Sequence, residues 1–116
     1  MNEPDWKGPL GEAFGEALGY LERLPSRRLS GYPSLSELRA TLGGSLPEQS
    51  LEPREVVADL AAAAEPGVVA SGGGRFFGFV VGGTTPAALA ADWLASAWDQ
   101  NAGLYVLGRP PALSRR

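Results

Sequence analysis

The sequence predicts a mainly α-helical chain, on three observations. Leucine, alanine and valine recur at three- and four-residue steps in three N-terminal segments, each bounded by Pro or Gly. A Thr-Thr-Pro start at residues 84–86 opens a fourth segment, which holds two of the three Trp. Between these lies one short apolar run, Arg75-Phe-Phe-Gly-Phe-Val-Val81, with three of the four Phe, whose residue types predict an extended segment.

The first helix is expected from about Pro9, with Leu10, Phe14, Leu18 and Leu21 as its apolar side and Glu12, Glu16 and Glu22 mostly opposite. Gly11, Gly15 and Gly19 lower its propensity by roughly 1 kcal/mol each, so it should depend on tertiary or partner contacts. Leu24-Pro25-Ser26-Arg27-Arg28 ends it. A second helix follows Pro33, where Ser34 and Glu37 have capping-box spacing, Leu35, Leu38 and Leu42 form the apolar side, and Gly43-Gly44 stops it. A third begins at Pro53 and ends at Glu65-Pro66-Gly67, with Val56, Val57, Leu60, Ala61 and Ala64 expected inside. Val68–Ser71 reads as a short extended piece and Gly72-Gly73-Gly74 as a turn. The fourth helix starts at Pro86 behind Thr84 or Thr85, and Leu89, Trp93, Leu94 and Trp98 line one large face. Leu104–Leu107 reads as one more buried segment, and residues 108–116 as a basic, Pro-rich tail.

Composition narrows the functional classes. At 116 residues the chain is one domain or part of one. A net charge of −3 gives no basic footprint, so no nucleic acid is expected as a partner. The polar start is unlike a secretory signal, and Arg75, the Gly-Gly-Thr-Thr-Pro break and Asp92 interrupt the one apolar stretch that approaches membrane length. A cytoplasmic protein without a membrane partner is expected. With no His and no Cys, the commonest general base, metal ligand and thiol nucleophile are missing, so no catalytic or metal-ligating residue is assigned.

Few motifs carry chemistry. Gly72-Gly73-Gly74 fails the dinucleotide-loop spacing, because Phe77 stands where the third glycine would fall. Gly82-Gly83-Thr84-Thr85 before a helix could hold an anion, but an ordinary N-cap explains it as well. Asp92 stands alone on an apolar helix, and Trp93 and Trp98 read as packing or interface residues.

The run Arg75-Phe-Phe-Gly-Phe-Val-Val-Gly-Gly83 and the following Thr-Pro-Ala-Ala-Leu-Ala-Ala-Asp-Trp-Leu-Ala-Ser-Ala-Trp-Asp-Gln-Asn-Ala102 resemble the N-terminal part of the pyridoxal phosphate-dependent group II amino acid decarboxylases, the aromatic-L-amino-acid, histidine and glutamate decarboxylase kind. Tyr20-Leu-Glu-Arg-Leu-Pro25, Leu46-Pro47-Glu48 and Glu55-Val-Val-Ala-Asp-Leu60 fit as well, so the resemblance spans roughly residues 10–107. It implies the N-terminal part of a fold-type I α/β architecture, a homodimer, pyridoxal 5'-phosphate as cofactor in the full-length family and an amino acid as substrate. It also implies a division into a lead-in (1–8), a helical dimer-swapping arm (9–71), the start of the large domain (72–107) and a divergent tail (108–116).

Phe79, Val80 and Gly82 occupy the family's pocket-lining places, while Val80 and Gly82 differ from the bulky residue and Thr of many relatives. Gly73-Gly74 replace the family's His-Pro, and the tail departs from it, as a truncated gene, a frameshift or an incomplete gene model would produce. The chemistry needs a Schiff-base lysine, an acid beside the pyridine nitrogen and a phosphate cradle. The single lysine, Lys7, lies outside any match to that site, so an N-terminal decarboxylase fragment, inactive alone, is the leading expectation. The alternative is a small helical module that binds a partner through its Phe/Trp surface.

Overall fold

The computed structural model of the chain describes residues 3–101 and 103–104. Among them stand four α-helices and no β-strand: α1 (Lys7–Arg23), α2 (Leu35–Leu42), α3 (Pro53–Ala64) and α4 (Pro86–Trp98). Single 3₁₀ turns, Leu24–Ser26 and Glu65–Gly67, continue α1 and α3. The fold class is mainly α, as the periodicity predicts. The chain divides into two compact units, Met1–Gly82 and Gly83–Arg116. The expected segment Leu104–Leu107 and the basic tail lie, apart from an exposed Leu104, outside the described residues.

Each helix begins where its orphan amides find an acceptor or need none. α1 starts at Lys7 rather than Pro9, because the Asp5 carboxylate accepts from the Gly8 N–H at 3.2 Å. A Cβ on Gly8 would lie 2.5 Å from Asp5 Oδ2, so a larger residue there would push the carboxylate aside. α2 has the full capping box: the Glu37 N–H donates to Ser34 Oγ at 3.2 Å and the Ser34 N–H donates to Glu37 Oε2 at 2.7 Å. Pro53 and Pro86 occupy the first positions of α3 and α4, and Thr85 Oγ1 accepts from the Ala88 N–H at 3.4 Å.

Within the first unit α3 contacts both α1 and α2. The half-buried side of α1 is Pro9, Ala13, Ala17, Tyr20 and Leu24, and that of α3 is Val57, Ala58, Ala61 and Ala64. Small side chains let the two helices approach, and the larger set expected inside on α1 (Leu10, Phe14, Leu18, Leu21) is exposed instead, as are Val56 and Leu60 of α3. Glu12, expected on the solvent side, is half-buried and accepts from Arg54 Nε at 3.0 Å. On α2 only Leu38 turns inward, onto Gly67, where a Cβ would come within 2.9 Å of its Cδ2.

The unit is tied by arginine more than by apolar contact. Arg27, whose side chain is only 10% exposed, reaches from the end of α1 to the end of α3. It donates to the Glu65 carboxylate, to the Glu65 carbonyl and, at 2.8 Å, to the Val68 carbonyl, and its guanidinium lies 5.3 Å from the centre of the Tyr20 ring. Arg28 donates to the Pro66 carbonyl at 3.0 Å and Arg75 to the Arg27 carbonyl. A cation with several planar donors suits a helix C-terminus, where carbonyls are left over and the dipole is negative.

Beyond α3, Val68 is extended and residues 68–70 run without a turn, and the chain then turns at 71–75 and again at Gly78–Val81. The Gly73 N–H donates to the Ala70 carbonyl at 3.1 Å and the Phe76 N–H to the Gly73 carbonyl at 3.1 Å, so Gly72–Gly74 take the turn role read from sequence. No strand among the described residues offers Val68–Ser71 or Phe76–Val81 a ladder, and β-rich composition alone does not hold an unpaired segment straight. In the second unit α4 runs to Trp98 and closes on Asp99 in the left-handed region, φ 47°. No helix among the described residues is long and apolar enough to cross a membrane.

Two outcomes follow from this wiring. Arg27→Ala removes donors from two carbonyls and from the Glu65 carboxylate, which keeps Arg23 at 3.8 Å and is partly solvated. It should cost about 1–2 kcal/mol and lower the helical circular dichroism melting temperature, whereas Arg39→Ala on exposed α2 should change little. The Ser34 backbone N–H, and then its hydroxyl, hold the Glu37 carboxyl below its ordinary value. A depressed carboxyl stabilises the fold above its unfolded pKa and loses that contribution as pH falls through the folded one. Amide shifts of α2 should therefore show fraying below the ordinary carboxylate range, and Glu37→Gln should remove that pH dependence.

Candidate functional site

The three residues implied as pocket lining share one loop. Gly78–Val81 is a tight turn in which the Val81 N–H faces the Gly78 carbonyl at 3.4 Å. Its two central residues, Phe79 (φ 56°) and Val80 (φ 54°), both lie in the left-handed region. That pattern belongs to Gly and Asn; a bulky ring and a β-branched chain there are strained by roughly 1–2 kcal/mol per residue. The strain brings no burial in exchange. Phe79 is 94% exposed, Phe77 is 93% exposed and Val80 is fully exposed. A Cβ at Gly82 would meet no atom within 4 Å. Of the Phe and Val side chains in this run only Phe76 is half-buried, with its ring edge against Gly78. The loop therefore gathers Phe79, Val80 and Gly82 along the chain but encloses none of them.

The other candidates are spread out. Asp92 is exposed on α4, outside any enclosed site. Thr85 caps α4 through its own hydroxyl, which favours the N-cap reading of Gly82–Thr85. Trp98 is 64% exposed and Trp93 more than a third exposed. Among the described residues no three His, Cys, Asp or Glu side chains gather as metal ligands.

Pyridoxal phosphate can be tested against the residues present. It would need an amine within a cavity, an acid at the ring nitrogen and amide or hydroxyl donors around the phosphate. Lys7 is the exposed first residue of α1, and Phe79 and Val80 face solvent. The described residues do not fit the cofactor.

The centre that sequence reading missed is Arg27 with Glu65, Tyr20 and Arg75. A signal was present: an Arg pair just past the end of α1 and a Glu-Pro-Gly at the end of α3 are complementary charges at two helix termini. The Arg27 terminal nitrogens are used on the Glu65 carboxylate and on the Glu65 and Val68 carbonyls, so the cluster holds backbone together. Comparisons of the chain with protein-family models, with curated proteins and with solved structures found no match.

Relief of the turn is measurable. Val80→Gly should favour the Gly78–Val81 turn by roughly 1 kcal/mol, read as slower exchange of the Val81 amide, while Val80→Ile should leave it unchanged.

Proposed function

We propose that this chain is the N-terminal part of a pyridoxal phosphate-dependent amino acid decarboxylase, supplying helices for a dimer interface and one wall of the substrate pocket, and inactive by itself. The observation that carries the reading is the near-complete exposure of Phe77, Phe79 and Val80 in a chain whose described residues fully bury only Ala70. Apolar side chains displayed at that level are surface awaiting cover, and the sequence around them is where the family resemblance is densest. The exposed leucines of α1 and Trp98 of α4 point the same way.

In this reading α1, α2 and α3 form an arm that packs on a neighbouring subunit. Phe79, Val80 and Gly82 shape the apolar wall beside the substrate side chain and exclude water there. The amine, the ring-nitrogen acid and the phosphate donors come from other polypeptide of the same enzyme, which belongs to the fold-type I architecture.

The chain alone, mixed with pyridoxal phosphate, should give no aldimine absorbance that Lys7→Arg does not also remove, and no carbon dioxide from any amino acid. Reading the coding DNA on either side in all frames should yield a lysine-bearing continuation. Co-expressed with it, this chain should restore decarboxylation, and Val80→Trp should raise KM for a bulky amino acid by roughly tenfold or more. Turnover by the isolated chain, or a restored enzyme indifferent to Val80 and Gly82, would overturn the proposal.

A further inference from the structure

The segment Phe76-Phe-Gly-Phe-Val-Val81 has a property that no pocket-lining role requires. It carries no charge, no Pro and only one Gly, and it is made almost wholly of the aromatic and β-branched types that favour strands. Yet its second half, Gly78–Val81, is a turn, with Phe79 and Val80 at φ 56° and 54°. Local composition and local conformation disagree, and the described residues contain no strand that could resolve the conflict.

A second copy can. Laid antiparallel about a two-fold axis between Gly78 and Phe79, two such segments oppose Phe76 with Val81, Phe77 with Val80 and Gly78 with Phe79. Aromatic against β-branched is among the favourable cross-strand pairings, and a ring opposite a glycine covers the backbone that the glycine leaves bare. Arg75 then faces Gly82 of the other copy, so the one charge beside the segment meets no like charge. A parallel, in-register pairing would stack Arg75 on Arg75 and lose the aromatic–valine pairs. The two-fold makes the contact isologous.

We propose that Phe76–Val81 is a self-complementary pairing segment, which opens from its strained turn and joins copies of this chain as antiparallel β-strands. Opening relieves the left-handed backbone at Phe79 and Val80 and removes the exposed Phe77 and Phe79 rings from water. Each face of the resulting ribbon carries three Phe rings and two Val, and both outer edges keep unpaired N–H and C=O groups. Assembly therefore continues past the dimer. The inference concerns this chain by itself and does not depend on its membership of an enzyme.

The register makes the test specific. The purified chain, residues 1–116, should associate with rising concentration, gaining the intermolecular-sheet amide I band and thioflavin T fluorescence. Phe77→Lys with Val80→Lys places like charges opposite each other and should raise the concentration for association at least tenfold. Phe77→Lys with Val80→Glu opposes unlike charges only in the antiparallel register and should restore association. Both positions are exposed, and dilute-solution helical circular dichroism verifies that each variant keeps its helices. The proposal is overturned if the double-lysine variant associates like the parent, if the lysine–glutamate variant stays dispersed, or if Leu94→Ser with Trp98→Ser on α4 abolishes the sheet signal instead. None of these readouts involves cofactor or turnover, so failure here leaves the decarboxylase reading standing.

Discussion

The first unit depends on one guanidinium. Arg27 leaves the end of α1, stacks on Tyr20 and satisfies carbonyls and a carboxylate at the end of α3. Arg28 and Arg75 brace the same junction through the carbonyls of Pro66 and Arg27. Apolar contact could not do this job here, because the α1–α3 contact is lined mostly by alanine and releases little surface from water. A planar fork with several donors matches the carbonyls left over where a helix stops. Position along the chain matters as much as chemistry: two residues earlier, the same arginine would still lie in the helical turn.

How the chain distributes its apolar residues follows from that arrangement. With alanines inward, Leu10, Leu18, Leu21, Val56 and Leu60 are turned to the solvent side. The same inversion appears at its extreme in the Phe77–Val80 loop. Such a layout suits a piece of polypeptide meant to be covered, and it equally suits a segment that finds its own likeness. The two readings place different demands on the loop: a pocket wall needs rings held still, whereas a pairing strand needs the turn to give way.

Helix limits were legible in the sequence because Ser34, Pro53, Thr85 and Pro86 act through bonds to their own neighbours. The start of α1 was misplaced by a turn's fraction, since Asp5 caps through the Gly8 amide and Pro9 draws the eye. Which face each helix buries was not legible. That choice is made by the partner helix, and a stripe of leucine looks more inward than a stripe of alanine until the partner proves to be alanine too. The Phe-rich run was read as extended from residue preference, a preference that needs a neighbouring strand to express itself. The resemblance groups Phe79, Val80 and Gly82 by position, but neither the left-handed turn at Phe79 and Val80 nor the exposure of the three follows from sequence. Arg27 was missed because two arginines after Pro-Ser look like solvated loop, and only the approach of α3 gives them carbonyls to hold.

The capped, arginine-braced first unit also has a calorimetric consequence. Apolar surface exposed on melting is what raises heat capacity, and here most of it is wet beforehand. The difference in heat capacity between ordered and disordered chain should be small, and the dependence of stability on temperature correspondingly flat. Cooling would then weaken this chain far less than it weakens a domain of equal length with an oily centre.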